Sequence, residues 1–215
     1  MKRRSPKTVG ARVRRRTRSQ PSPTTGFAGA ALFLVGFMGA GKTSVGRVLA
    51  QQLNWAFEDL DERIERRERR SVPEIFRDSG ESEFRRAERA ALEEVVGELQ
   101  AGAAKVVALG GGAFVQQENA ALLRTARVAT VFLDAPVEEL WHRCSEQARQ
   151  AGAERPLLRS IDRFRELYEM RRTSYLQAAL SVETGSRPLA EIASEIAERL
   201  GLTKLEIRAQ EGEVE

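Results

Sequence analysis

The octapeptide Gly36-Phe37-Met38-Gly39-Ala40-Gly41-Lys42-Thr43 limits what this chain can fold into more than any other stretch. It fits G-x-x-x-x-G-K-S/T, a loop whose backbone N–H groups wrap a polyphosphate. The motif has meaning only between a buried strand and a helix, and both flanks are present. Ala30-Ala31-Leu32-Phe33-Leu34-Val35 reads as an apolar strand, and Ser44 to Leu53 reads as an amphipathic helix. Glycines let the chain turn tightly around the anion, and the helix N-terminus adds partial positive charge. Lys42 is placed to reach the outer phosphates, and the Thr43 hydroxyl to ligate Mg²⁺. A glycine-rich turn carrying a surface lysine is the bland alternative, and the intact flanks argue against it. The loop implies a bound nucleoside triphosphate and leaves open what is done with it.

Beyond the loop, strand and helix signals alternate. Trp55-Ala56-Phe57 reads as a second strand ending at Glu58-Asp59-Leu60-Asp61, followed by a highly charged helix over about 62–70. Ser71 with Glu74 three residues later is a capping box at a helix start, and a further helix is expected over about 81–99. Lys105 to Leu109 reads as a buried strand leading into Gly110-Gly111-Gly112. Residues 127–133 form the next predicted strand, 137–150 a helix, 162–180 another, and 181–184 a short last strand. Pro188 sits in the first turn of a final helix that ends near Leu200. Strands separated by helices imply a parallel sheet covered on both faces, with ligands at the carboxyl ends of the strands. The phosphate loop, Asp59/Asp61, the glycine triplet and the loop after Leu133 should therefore share one rim.

The charge is unevenly distributed. Residues 1–26 hold nine Lys/Arg and no Asp or Glu, whereas residues 27–215 carry 26 basic against 31 acidic residues, a net of −5. The high pI thus belongs to an arm rich in Arg, Ser, Pro and Thr, which reads as disordered, and not to the body. An acidic body argues against nucleic acid as the main ligand. Arg14-Arg15-Arg16 ahead of the apolar stretch 27–41 imitates a twin-arginine export signal, but that stretch is better read as the first core strand plus its phosphate loop. No segment approaches the roughly 20 apolar residues of a membrane span. Cys144 is the single cysteine, which excludes an intrachain disulfide and a cysteine metal cluster, and a cytoplasmic protein is expected. Residues 203–215 read as a polar tail.

A second set of residues bears on what receives a phosphate. Asp59 and Asp61, two apart at a strand end, could order metal-bound water and hold a hydroxyl, or could simply cap the next helix. Arg85 and Glu88, three apart on a helix, have the spacing of a surface ion pair. The glycine triplet after a strand is harder to dismiss, because three glycines cost backbone entropy and suggest a close approach to the main chain. Arg155 before Pro156, and Arg171 four residues before Tyr175, are isolated arginines on a charged background.

In order and at these spacings, GFMGAGKTSVGRVLA, FEDLDERIE, IFRDSGESEFRRAE, LGGG, FLDAP, RPLL and RRTSYLQAA resemble the shikimate kinase family over about Leu32 to Leu200. The resemblance implies a three-layer α/β fold like that of the nucleoside-monophosphate kinases, with a five-stranded parallel sheet. It makes 27–202 the catalytic domain, with a lid at about 147–163. It implies transfer of the ATP γ-phosphate to the 3-hydroxyl of shikimate, in aromatic amino acid biosynthesis. It assigns Gly39, Ala40, Gly41, Lys42, Thr43 and Ser44 to ATP, with Arg155 as the lid arginine and Arg187 near the adenine. Arg149 is a weaker candidate for the adenine. Mg²⁺ falls to Thr43 and, through water, to Asp59. Shikimate falls to Asp61, which is also placed to take the hydroxyl proton, to Arg85 and Arg171 as a clamp on its carboxylate, and to Gly110, Gly111 and Gly112. The family is often monomeric, which implies a monomer without a membrane or nucleic-acid partner for its catalysis. The alternatives are a kinase of another small metabolite, such as gluconate or a nucleoside monophosphate, and a nucleotide-binding regulator whose basic arm docks RNA or a partner.

Overall fold

The computed structural model describes residues 31–151, 158 and 160–202. The arm at 1–26, the tail at 203–215 and Arg155 lie outside these residues. Five strands form one wholly parallel sheet in the order β2-β3-β1-β4-β5: β1 (Ala31–Val35), β2 (Ala56–Asp59), β3 (Lys105–Ala108), β4 (Ala129–Asp134) and β5 (Leu180–Glu183). The sequence dictates which strands lie inside. Every residue of β1 is buried, and β4 is buried up to its last residue, as expected of strands covered on both faces. β5 alternates buried and exposed positions, and β2 has no fully buried residue; these two are the sheet edges.

The helices are α1 (Lys42–Leu53), α2 (Leu60–Glu68), α3 (Val72–Gln100), α4 (Gln117–Thr125), α5 (Val137–Ala151), α6 (Ile161–Tyr175) and α7 (Leu189–Arg199), with one 3₁₀ turn at Ala113–Val115. α1 packs on α7, α2 on α3 and α5 on α6. The capping box is present: the Glu74 N–H donates to Ser71 Oγ at 3.4 Å, and the Ser71 N–H donates to Glu74 Oε2 at 2.7 Å. The two helices expected on either side of residue 80 form one run, kinked where Gly80 takes φ 79° and ψ 177°.

Two expectations need correction. The helix predicted over 162–180 ends at Tyr175, and Leu180 opens β5 instead. Pro188 is the N-cap of α7 rather than a residue of its first turn. The predicted strands, by contrast, lie within a residue or two of the observed ones.

β1 sits between β3 and β4, so the chain leaves it toward one side of the sheet and later crosses to the other. That reversal opens a crevice at the carboxyl end of β1, where the phosphate loop lies.

A charged network fastens β2 to the helices beside it. Arg63 of α2 donates to Glu58 Oε1 at 2.6 Å and Oε2 at 3.1 Å, and to Glu98 Oε1 at 2.8 Å. Lys105 of β3 donates to Glu58 Oε2 at 2.8 Å and also pairs with Glu98. Burial pushes the Glu58 carboxyl up, but Arg63 and Lys105 outweigh it and hold it below its ordinary value. Removing one partner of a largely buried pair strands the other charge. Arg63→Ala should therefore lower unfolding free energy by about 2–4 kcal/mol in urea titration. Its deficit should shrink as pH falls below the ordinary glutamate range, where the depressed Glu58 pKa ceases to stabilise the fold.

Candidate active site

The phosphate loop folds as its sequence requires. Gly39 has φ 79°, and a Cβ there would stand 2.9 Å from Cys144 Sγ and from the Leu140 carbonyl, so no larger residue fits. Lys42 turns back over the loop and donates to the carbonyls of Gly36 and Phe37, both at 2.9 Å. Burial pulls its pKa down to about 8, partly opposed by Asp61 and Asp59. Ala40 and the N-cap Gly41 complete the turn into α1, and Ser44 lies in its first turn. Thr43 Oγ1 donates to Asp59 Oδ2 at 2.8 Å across the mouth of β2. Asp59 is also the N-cap of α2, accepting the Asp61 N–H on Oδ1 at 3.1 Å. The capping reading of Asp59 is realised on Oδ1, while Oδ2 is held by Thr43.

The glycine triplet receives charged side chains from three directions. A Cβ on Gly110 would lie 2.6 Å from Asp61 Oδ1. One on Gly112 would lie 2.7 Å from both terminal nitrogens of Arg85. Gly111 has ordinary room, and its neighbours are Met38 N, Gly36 O and Arg171 Nη1 at 3.7–3.8 Å from the same position. Asp61, Arg85, Arg171, the triplet and the start of the phosphate loop are thus brought together from α2, α3, α6 and two strand ends.

Electrostatics set these groups apart from surface charges. Burial, reinforced by Asp59, raises the Asp61 pKa to about 6, with Lys42 pulling it back. Asp61 Oδ1 is buried and has no hydrogen-bond partner among the described residues. Arg85 and Glu88 are not a surface pair: the Glu88 side chain is 1% exposed, and its Oε2 accepts from Arg85 Nη1 at 2.9 Å. Burial pushes the Glu88 carboxyl up, against the pull of Arg85, and its Oε1 has no partner among the described residues. Arg171 lies with its guanidinium carbon 5.8 Å from the centre of the Phe37 ring.

The other nucleotide-side candidates fall differently. Arg187 is held by the Glu183 carbonyl at 2.9 Å and Glu195 Oε2 at 2.8 Å, at the start of α7. Arg149 pairs with Glu146 on an exposed face of α5. Arg143, to which the sequence reading gave no role, bridges the Gly39 carbonyl at 3.3 Å and the Thr184 carbonyl at 3.0 Å. Thr184, equally unassigned, is buried, and its hydroxyl lies 3.3 Å from the Ala40 carbonyl and 3.1 Å from that of Asp134. Together they hold the phosphate loop against the β5–α7 connection. One of the two arginines on α5, Arg143 has no sequence signature; its place under the loop is visible only in three dimensions.

A parallel sheet with a phosphate loop at its switch point, and beside it a pocket of one carboxylate and two arginines, defines the class: a phosphate-loop kinase of small molecules. The comparisons narrow this. The family model described as Shikimate kinase matches residues 38–201. A shikimate kinase from Cereibacter sphaeroides is 39% identical over 196 residues, covering 89% of this chain and 94% of that protein. One from Persephonella marina is 35% identical over 170 residues, covering 79% and 98%. The solved structure of a shikimate kinase from Acinetobacter baumannii in complex with shikimate superposes with a TM-score of 0.72 at 34% identity, covering 84% of this chain and 97% of that one. The chain belongs to the shikimate kinase family, and it is a phosphotransferase.

The raised Asp61 pKa makes a stability prediction. Its folded value of about 6 lies above the ordinary 3.8, so the ionised carboxylate destabilises the fold once pH exceeds both values. Asp61→Asn should be more stable than the parent by about 1–3 kcal/mol above pH 6. The difference should vanish below about pH 4, and thermal melts across that range read it directly.

Proposed function

We propose that the chain transfers the γ-phosphoryl group of ATP to the 3-hydroxyl of shikimate, giving shikimate 3-phosphate and ADP. The observation that supports this most is the convergence of Asp61, Arg85 and Arg171 on the glycine triplet beside the phosphate loop. Shikimate is a carboxylate bearing three hydroxyls. Two guanidinium forks suit the carboxylate, and an acceptor-only carboxylate suits the hydroxyls. In the proposed reaction, Arg85 and Arg171 clamp the carboxylate while the Asp61 carboxylate accepts the 3-hydroxyl hydrogen bond. As the 3-oxygen bonds to the γ-phosphorus and the bond to the β-phosphate bridging oxygen breaks, the hydroxyl proton passes to Asp61. Glu88 accepts from Arg85 Nη1 at 2.9 Å and Glu81 from its Nη2 at 3.0 Å; the substrate carboxylate displaces the exposed Glu81 while the buried Glu88 keeps the guanidinium in place.

Gly39 to Ser44 supply backbone N–H donors to the nucleotide, and Lys42 exchanges its carbonyl partners for phosphate oxygens. Arg155 is assigned to the phosphates and Arg187 to the adenine side by resemblance alone. Thr43 would hold Mg²⁺ through its hydroxyl and Asp59 through water; both offer the hard oxygens that Mg²⁺ takes, and they lie together, with Thr43 Oγ1 donating to Asp59 Oδ2 at 2.8 Å. When bound, the ion neutralises charge on the transferred phosphoryl group. We place the protein in the cytoplasm as a monomer; among the described residues no helix is long and apolar enough to cross a membrane.

The direct test is ADP release by purified protein with ATP, Mg²⁺ and shikimate; absence of shikimate-dependent release would overturn the proposal. Arg85→Ala and Arg171→Ala should each raise the KM for shikimate about 10- to 150-fold, the loss of one charge-assisted contact, while changing the KM for ATP little. Equal effects on both substrates would remove the clamp assignment.

The pH profile gives a second test. Asp61 must be ionised and Lys42 charged, so kcat/KM should fall below about pH 6 and above about pH 8. A flat profile through pH 6 would exclude Asp61 as proton acceptor.

A further inference from the structure

Tyr175 lies at the last turn of α6, one turn beyond Arg171. Its side chain is fully buried, and its ring stacks on Phe132 of β4 with centroids 5.3 Å apart and planes at 30°. The hydroxyl does what packing does not require: it donates to the carbonyl of Gly111, the middle residue of the triplet. The Arg171 guanidinium lies beside the same hydroxyl. One buried phenol therefore bonds to one of the groups assigned to the acceptor and lies within electrostatic reach of another.

The glycine triplet needs such a clamp. Gly110 and Gly112 have no Cβ because Asp61 and Arg85 stand where one would project. The Ala113 N–H holds the Gly110 carbonyl at 3.0 Å and the Val115 N–H holds that of Gly112 at 3.2 Å, which leaves the Gly111 carbonyl to the phenol; glycine is the residue that loses most freedom when ordered. Met38 N and Gly36 O lie 3.7 and 3.8 Å from where a Gly111 Cβ would stand, so the triplet runs beside the phosphate loop, and a shift there alters the spacing between them. The phenol keeps its proton across the working range, since burial raises its pKa to about 12, and it remains a donor throughout.

We propose that Tyr175 is a positioning residue for the phosphate acceptor: its hydroxyl fixes the Gly111 carbonyl and the Arg171 guanidinium in one arrangement, so the acceptor side is assembled before shikimate binds. This rests on the reading of the triplet and Arg171 as the shikimate site. Tyr175 touches no substrate in this account and acts only through its two neighbours.

Tyr175→Phe retains the ring and its stack and removes only the hydroxyl. Its KM for shikimate should rise about 5- to 20-fold, the worth of one hydrogen bond, with the KM for ATP within about twofold of the parent. Phe132→Leu weakens the stack and spares the hydroxyl; it should lower the melting temperature without that selective KM change. Unchanged shikimate KM in Tyr175→Phe, a parallel rise in both KM values, or the same selective rise in Phe132→Leu would each reduce Tyr175 to core packing and overturn the proposal. Parent enzyme without shikimate-dependent turnover would instead remove the acceptor reading on which it rests.

Discussion

Asp61 and Arg85 occupy the space that a side chain on the glycine triplet would need: a Cβ on Gly110 would lie 2.6 Å from Asp61 Oδ1, and one on Gly112 would lie 2.7 Å from the Arg85 guanidinium nitrogens. The rest of the site depends on that approach. α2 and α3 can bring their charged side chains to the rim beside β1 only if the loop after β3 stays thin. An alanine at either position would have to push a carboxylate or a guanidinium aside, and with it the spacing between acceptor pocket and phosphate loop. The same thinness leaves the loop without side-chain anchors, which makes the hydroxyl of Tyr175 on the Gly111 carbonyl more than a core contact.

The pocket is a balance of opposed charges with little water to screen them. Lys42 is discharged by burial and recharged by Asp61 and Asp59, while Asp61 is neutralised by burial and ionised by Lys42. Each keeps the other usable near neutral pH. Glu88 plays the corresponding part for Arg85, at the expense of burying a carboxylate whose second oxygen has no partner among the described residues. In a core of this composition such groups would be replaced by apolar ones of equal size. Asp61 Oδ1 and Glu88 Oε1 each carry the desolvation cost of a buried oxygen without a partner among the described residues.

Much of this was legible in the sequence, and the limits are instructive. The phosphate loop, the strand order of the pattern and the capping box at Ser71 are local features whose chemistry works at short range. The end of α6 was not legible, because Leu176 to Ala179 contain no glycine or proline and the apolar periodicity runs on into Leu180; only pairing of β5 with β4 turns that residue into a strand. α4 escaped notice because its start has no side-chain cap, and its inward face buries only Asn119, Ala120 and Leu123. Arg85–Glu88 has the spacing of a solvent-exposed pair, and nothing in the sequence says that the Glu88 side chain is sealed. Arg143 and Thr184 gave no signal, since their partners, the Gly39 and Ala40 carbonyls, lie more than a hundred residues away along the chain.

Those last two contacts explain how one rim serves two ligands without confusing them. On one side the phosphate loop is braced by Arg143 and Thr184, which join it to the β5–α7 connection. On the other it meets Gly111, which is itself tied to α6 by Tyr175. The loop is thus a shared wall, fixed from the nucleotide side by bonds to its own carbonyls and from the acceptor side through the triplet. Two links join the sides: Thr43 and the Asp61 N–H both bond to Asp59, and Lys42 holds the Gly36 and Phe37 carbonyls. Arg143 holds the phosphate loop at the Gly39 carbonyl, whereas Tyr175 holds Gly111 in the loop after β3, so the two residues secure different segments of the same rim.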